Sequence, residues 1–324
     1  MRKTIALVYG GDSSEAEVSV RSGRHMAGAI DRERYEVYEI MITGRDWKVL
    51  LEDGISVQID KADFSFIYPS QPRSKRITFD IALIMIHGTP GENGRLQAYF
   101  EMIGLPFTTC SAVVSAITFD KYATKCFLRD TGIKLAPDIL LRKGEEHNPS
   151  EIVSKLGLPL FIKPNEGGSS FGATKVKREE DILPALELAF EEGDAVIAEE
   201  YIEGREITNG VYEYSGKLVE LPVTEIILGN EFFDYEAKYL GKSREVCPAE
   251  ISKETSERVI AVTHRLYRYL GCRGVVRMDY ILRGDDIYFL EINTVPGMTE
   301  VSLVPQEIVA AGKTITGFLN EILG

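Results

Sequence analysis

Residues 274–298 read GVVRMDYILRGDDIYFLEINTVPGM. Two strand-like runs, GVVRMDYIL and DIYFLEIN, flank a glycine and two aspartates, the composition of a tight hairpin turn. A three-residue turn over Gly284, Asp285 and Asp286 predicts that residue 283 pairs with residue 287. That register sets Asp279 opposite Glu291 and Arg277 opposite Asn293. Side chains alternate faces along a strand, so Arg277, Asp279, Glu291 and Asn293 share one face. Two carboxylates and an amide oxygen held together are oxygen donors for a hard cation, and suit magnesium bridging nucleotide phosphates. The competing reading is an ordinary solvated face with a cross-strand charge pair. Asn293 and the TVPGM loop that follows favour the metal over that reading.

Upstream of this hairpin lies another, EITNGVYEY and KLVELPVTEI around Ser215-Gly216, then the loop FFDYEAKYLGKSREVCPAE and a helix near Ser252 to Leu270. Further back, the run LPLFI leads into KPNEGGSSFG at 163–172. A glycine-rich loop between strands can fold over phosphates, offering backbone N–H groups while Lys163 supplies a point charge. A plain hairpin loop is the other reading, since the P-loop spacing of glycines is absent. The segment AEEYIEGRE at 198–206 ends a strand in acids. It can present backbone groups to an adenine edge and Glu206 to ribose hydroxyls, or be no more than a solvated turn. Strands over 159–163, 173–177 and 195–200 bracket the helix DILPALELAFEEG, a small α+β unit.

The first hundred residues alternate strand and helix patterns. TIALVYG (4–10), EVYEIMI (36–42) and DIALIMI (80–86) have buried-strand composition, and Ser13 or Ser14 is placed to cap a helix running to Ile30. The loop HGTPGENG (87–94) precedes a helix over residues 96–103. This βαβ rhythm predicts a mostly parallel sheet with its ligand side at the loops after Tyr9 and Ile86. YGGDSSE lacks G-x-G-x-x-G, which weakens a dinucleotide-binding reading. Two short helices over 111–118 and 120–130 read as a hinge into a second domain. The fold class is therefore α/β, with α+β character in the later part.

The chain has 324 residues, enough for two or three domains. Its 37 Lys and Arg against 50 Asp and Glu give net −13, which disfavours nucleic acid and anionic membrane as partners. Cys110, Cys126, Cys247 and Cys272 are scattered, as reduced thiols are, with no disulfide framework or zinc spacing. No segment approaches the roughly 20 apolar residues of a membrane span, and the opening apolar run is too short for a signal peptide. The expectation is a cytoplasmic protein.

The motifs GGDSSEAEVS (10–19), HGTPGENG, TFDKYATK (118–125), KPNEGGSSFG, EEYIEGREIT (199–208), FDYEAKYL (233–240), CPAE (247–250), RMD (277–279) and LEINTVPGMTEVSLVP (290–305) occur in order across nearly the whole chain. Together they closely resemble the D-alanine:D-alanine ligases of the ATP-grasp superfamily. The resemblance implies a three-domain ATP-grasp architecture: a Rossmann-like amino-terminal domain over 1–104, a central subdomain over 105–204, and a carboxy-terminal subdomain over 205–324 with a mobile lid at 228–250 and the metal site. It implies a homodimer. It also implies ATP as co-substrate, two Mg2+ ions for which Mn2+ can substitute, and an acylphosphate of one D-alanine attacked by the amine of a second, in peptidoglycan synthesis.

Residue by residue, the resemblance places Lys121, Lys163 and Ser170 on the ATP phosphates. It sets Glu199, Glu200, Tyr201 and Ile202 along the adenine, Phe232 and Leu290 against its faces, and Glu206 on the ribose. Asp279, Glu291 and Asn293 match the metal ligands, and Arg277 would steady the acylphosphate and the tetrahedral intermediate. Glu15 would hold the ammonium of the first D-alanine, within a network that includes Ser169 and Tyr239, and His87 would lie nearby. Lys238, Gly297, Ser302 and Leu303 fall around the second D-alanine.

The chain departs from the family pattern at Phe233, where Tyr is common, at Val301, where His often precedes the Ser-Leu pair, and in the order NEGG of the phosphate loop. The Lys238-Tyr239 pair favours a dipeptide product over a D-lactate ester. Alternatives are a D-alanine:D-lactate or D-alanine:D-serine ligase, or a non-catalytic nucleotide-binding homologue.

Overall fold

The computed structural model describes residues 2–51, 54–69, 75–169, 171–228 and 243–324. Strand β1 (Lys3–Gly10) is followed by α1 (Ala16–Ala29), β2 (Tyr35–Thr43), β3 (Asp46–Leu50), β4 (Ser56–Gln58), β5 (Phe66–Tyr68), β6 (Lys75–Ile77), β7 (Ile81–Ile84) and α2 (Arg95–Ile103). The first sheet has the order β4-β3-β2-β1-β7, with β1 parallel to β2 and β7. Its parallel heart is the one expected, but β3 and β4 extend it as antiparallel strands. β1 is a continuous apolar run because both its faces are covered. Ile5, Leu7 and Tyr9 pack with Met26 of α1, while Ala6 and Val8 pack with Phe64, Phe66 and Phe100.

The expected serine cap of α1 is not formed. Glu15 is the N-cap residue and makes no side-chain cap; the Ser13 hydroxyl accepts from the Glu15 amide at 3.3 Å and donates to the His87 carbonyl at 3.2 Å, joining the two loops at the sheet's carboxyl end.

Helices α3 (Ala112–Phe119) and α4 (Lys121–Leu128) are capped by Ser111 and Asp120, which accept from the amides of Val114 and Ala123. Then come β8 (Lys134–Leu135), β9 (Asp138–Arg142), α5 (Pro149–Leu156), β10 (Leu160–Pro164), β11 (Thr174–Val176), α6 (Ile182–Ala189) and β12 (Ala195–Glu200). β9 to β12 form an antiparallel sheet, order β11-β10-β12-β9, over a core that includes Ile162, Leu186 and Val196.

The last part holds β13 (Arg205–Tyr214), β14 (Lys217–Glu220), β15 (Thr224–Leu228), β16 (Ser243–Val246), α7 (Lys253–Leu270), β17 (Val276–Arg283), β18 (Asp286–Asn293), α8 (Leu303–Ala310) and α9 (Ile315–Leu323). The sheet order is β16-β15-β13-β17-β18-β8, with β14 also on β13. The single strand expected over KLVELPVTEI is two, broken around Pro222, which has no N–H for the ladder. α9 returns to the first sheet, where Lys3 Nζ reaches the Leu323 carbonyl at 3.0 Å.

The terminal hairpin corrects its predicted turn. Arg283 pairs with Asp286, so only Gly284 and Asp285 turn, and Gly284 takes φ +59°, as a two-residue loop with glycine first requires. Left uninterrupted, that register would oppose Asp279 to Leu290. A bulge follows Tyr280↔Phe289, and the pairs beyond it are Asp279↔Glu291 and Arg277↔Asn293, as predicted. Leu290 is the extra residue. Ile287, Phe289 and Ile292 face the core, while Tyr288, Leu290, Glu291 and Asn293 line the opposite side.

Candidate active site

A cavity of about 450 Å³ lies where the three larger sheets approach one another. Its walls include every described residue singled out for a site role: Glu15, His87, Lys121, Lys163, Ser169, Glu199, Glu200, Tyr201, Ile202, Glu206, Arg277, Asp279, Leu290, Glu291, Asn293, Gly297, Ser302 and Leu303. Ser170, Phe232, Lys238 and Tyr239, and most of the expected lid, lie outside the described residues.

The β17–β18 face forms one wall. Arg277 grips Asp279 with two bonds, Nε to Oδ1 at 2.9 Å and Nη2 to Oδ2 at 2.8 Å. Thr208 Oγ1 donates to Asp279 Oδ1 at 2.6 Å, and Asn293 Nδ2 to Oδ2 at 3.2 Å. Burial works against the Arg277 charge, but Asp279 and Glu291 hold its pKa above the ordinary arginine value. Among the described residues no cluster of three or more His, Cys, Asp or Glu is arranged to hold a metal. The set is two carboxylates and an amide. It fits magnesium, which takes one or two carboxylates and completes its shell with phosphate oxygens and water.

Two lysines enter from the central part. Lys121 Nζ donates to the Gly167 carbonyl at 2.6 Å; burial pushes its pKa down, and the nearby Lys163 adds to that. Lys163 is paired with Glu199 Oε2. Burial alone would raise the Glu199 pKa, yet Lys163 and Lys125 together hold it at about 2. The Glu199 side chain is thus committed to lysines.

At the amino-terminal end, the Ser169 hydroxyl donates to Glu15 Oε1 at 2.6 Å. Ser169 has φ +52°, a left-handed conformation uncommon for serine. A Cβ on Gly168 would stand 2.8 Å from Glu15 Oε1, so the glycine is what lets this loop close on the carboxylate. His87 is buried with both ring nitrogens engaged, Nε2 with Ser22 Oγ at 2.9 Å and Nδ1 with the Val295 carbonyl at 2.7 Å. Burial pushes the imidazole below its ordinary pKa against the pull of Glu15. A neutral ring with its proton on Nδ1 satisfies both contacts.

Three residues escaped the sequence reading. Glu92 accepts from the amides of Gly88 at 3.1 Å and Val295 at 3.3 Å, and burial, with Glu15 adding, pushes it up to about 7. It sits inside HGTPGENG, and that acid in a glycine loop was the available signal. Lys125 holds Glu199 at 2.6 Å. Glu307 is fully buried behind the cavity wall and is pushed up to about 8, chiefly by burial.

A Rossmann-like sheet, an antiparallel α+β unit and a carboxylate-bearing sheet closing on one charged cavity define an ATP-grasp ligase. Family comparison agrees: the description "D-ala D-ala ligase N-terminus" matches residues 4–110 and "D-ala D-ala ligase C-terminus" matches residues 127–324. The chain belongs to the D-alanine–D-alanine ligase family. It is 49% identical to the D-alanine–D-alanine ligase of Phocaeicola vulgatus, over 100% of this chain and 99% of that one. Among solved structures it resembles the VanG D-Ala:D-Ser ligase from Enterococcus faecalis, with TM-score 0.88 and 31% identity over 100% and 99% of the two chains. It also resembles the Bacillus anthracis D-alanine–D-alanine ligase complexed with ATP, with TM-score 0.78 and 32% identity over 99% and 96%.

Proposed function

We propose that this chain spends ATP to turn the carboxylate of one D-alanine into an acylphosphate, which the amine of a second D-alanine attacks to release phosphate and leave D-alanyl-D-alanine. Ligation of D-alanine to D-alanine for peptidoglycan synthesis follows from family membership. The observation that carries the mechanism is the convergence in one cavity of two lysines, an arginine, the Asp279–Glu291–Asn293 face and the Glu15–Ser169 pair.

The chemical need is charge management, because a carboxylate must approach an anionic triphosphate and an oxyanion must then form. Lys121, Lys163 and the loop of Ser170 hold the phosphates. The backbone of Glu199 to Ile202, with Leu290 and Phe232, takes the adenine, and Glu206 the ribose. Two magnesium ions, or manganese in their place, would be held by Asp279, Glu291 and Asn293, where they supply positive charge against the phosphates. Arg277, fixed by its bidentate contact to Asp279, faces the acylphosphate and the tetrahedral oxyanion.

Glu15 binds the first ammonium, oriented by Ser169, with Tyr239 extending the network. His87 packs beside that substrate without hydrogen-bonding it, since its nitrogens are engaged. Lys238, Gly297, Ser302 and Leu303 receive the second D-alanine. In this reading the chain divides at 1–104, 105–204 and 205–324, with a lid at 228–250, and works as a cytoplasmic homodimer. Among the described residues no helix is long and apolar enough to cross a membrane.

The test is phosphate release with ATP and magnesium in the presence of D-alanine, L-alanine, D-serine or D-lactate. D-alanine alone is expected to support turnover; no D-alanine-dependent release refutes the reading.

A further inference from the structure

The nucleotide end of the cavity is backed by a buried relay of charges. Lys125, on α4, is 2% exposed and does not line the cavity. Its ammonium lies 2.6 Å from Glu199 Oε1 and 3.0 Å from Asp138 Oδ2, and it donates to the Ala136 carbonyl at 2.7 Å. The other oxygen of Glu199 is held by Lys163. Each carboxylate oxygen of Glu199 therefore belongs to a different lysine, and of the two only Lys163 reaches the cavity.

This sharing has an electrostatic consequence. A buried carboxylate must be neutralised, and the nearest cation does it. With Lys125 in place, Glu199 draws only part of its compensation from Lys163, whose positive charge stays available on the cavity side. Without Lys125, Lys163 would be the one direct ion-pair partner left to Glu199 among the described residues, and the Ala136 carbonyl, on a residue that lines the cavity, would lose its ammonium donor. Asp138 acts in the opposite direction, since it competes with Glu199 for Lys125.

We propose that Lys125 is a positioning residue for the nucleotide: by sharing the neutralisation of Glu199 and anchoring Ala136 it leaves part of the Lys163 charge available to a phosphate. The inference rests on the reading of this end of the cavity as the nucleotide site. Its effect falls on nucleotide affinity and spares the D-alanine pockets, which are built on Glu15 and the 297–303 loop.

The experiment measures ADP binding by calorimetry with magnesium, and KM for ATP and for D-alanine, on the full chain. Parent protein that binds neither ADP nor ATP overturns the nucleotide reading and this inference with it. If the parent binds, Lys125→Met is expected to raise the ADP Kd and the KM for ATP by about tenfold or more, with the KM for D-alanine within about twofold. A lowered melting temperature with unchanged ADP affinity, or equal rises in both KM values, marks a purely structural ion pair and overturns the proposal. Asp138→Asn keeps the test open should Lys125→Met fail to fold. By returning Lys125 more fully to Glu199 it is expected to tighten ADP binding about twofold to threefold, and weaker binding overturns the proposal.

Discussion

Asp279 and Glu291 stand directly opposite each other on adjacent strands because Leu290, one residue before the glutamate, is extra. The bulge turns Leu290 and Glu291 to the cavity in succession and returns Ile292 to the core. Removing the charge at Glu291 leaves the bulge intact. Glu291→Gln is expected to fold normally, within a few degrees of the parent Tm, and to need at least about tenfold more magnesium for half-maximal turnover, with lower kcat. Magnesium titrations and kcat indistinguishable from the parent would remove Glu291 from the metal site.

Ser169 combines an unfavourable backbone conformation with a charge-assisted bond to Glu15. Two substitutions separate these contributions. Ser169→Ala keeps the strain and loses the hydroxyl, whereas Ser169→Gly loses both. Both are expected to raise the KM for the first D-alanine by about tenfold, the worth of a hydrogen bond to a charged group. Ser169→Gly should be the more stable of the two by roughly 1 kcal/mol. Equal stability would mean that the left-handed conformation carries no cost here.

Glu307 supplies a pH test from behind the Arg277–Asp279 face. Its Oε2 accepts the Gly210 amide at 2.9 Å in a fully buried site, with the Thr224 side chain nearby. Burial raises its pKa from 4.5 to about 8 in the folded protein. A carboxyl raised on folding contributes stability that is complete below its unfolded pKa and is lost as pH rises through the folded value. Glu92, raised to about 7, acts the same way lower in the range. Stability should therefore fall as pH rises from about 4.5, and the portion between pH 7 and 8.5 belongs mainly to Glu307. Glu307→Gln is expected to remove roughly 1 kcal/mol of that fall, read as the difference in denaturant midpoint at the two pH values. An unchanged slope would show that Glu307 does not take up the proton.

Two glycines are expected to respond in opposite directions. Gly274, at φ +65°, enters β17 where a Cβ would stand 1.9 Å from the Thr108 carbonyl oxygen. Backbone cannot yield as a side-chain tip can, so Gly274→Ala should lower stability by about 3 kcal/mol or more. Gly28, within α1, has nothing within 4 Å of its would-be Cβ. Gly28→Ala should stabilise by about 0.5–1 kcal/mol. Thermal melts of the two variants check both signs.

The elements that position the cavity were legible where one physical rule dominates. A strand covered on both faces must be apolar throughout, so TIALVYG and DIALIMI could be read as parallel strands. The glycine-rich loop after LPLFI marked Lys163 and its neighbours, although Lys163 itself lies within β10. Short strands such as Ser56–Gln58 and Lys75–Ile77 were missed, since three residues carry too little periodicity to read. Lys125, Glu92 and Glu307 were missed for a different reason. A charged residue in sequence is presumed to meet water, and only packing reveals that each is buried against a particular partner.

The hairpin at 274–298 divides the two kinds of information most clearly. Strand alternation and a nearby turn brought Arg277, Asp279, Glu291 and Asn293 together in the sequence, but by way of a three-residue turn that does not form. The turn is one residue shorter than expected, and a one-residue slip would have put Glu291 opposite Met278. The bulge at Leu290 cancels the slip, and it is fixed by tertiary demands: Phe289 and Ile292 must both reach the core under α7, and Leu290 and Glu291 must both reach the cavity. Two core contacts three residues apart cannot be met by an unbroken strand of period two, and that conflict exists only once the sheet has something to pack against.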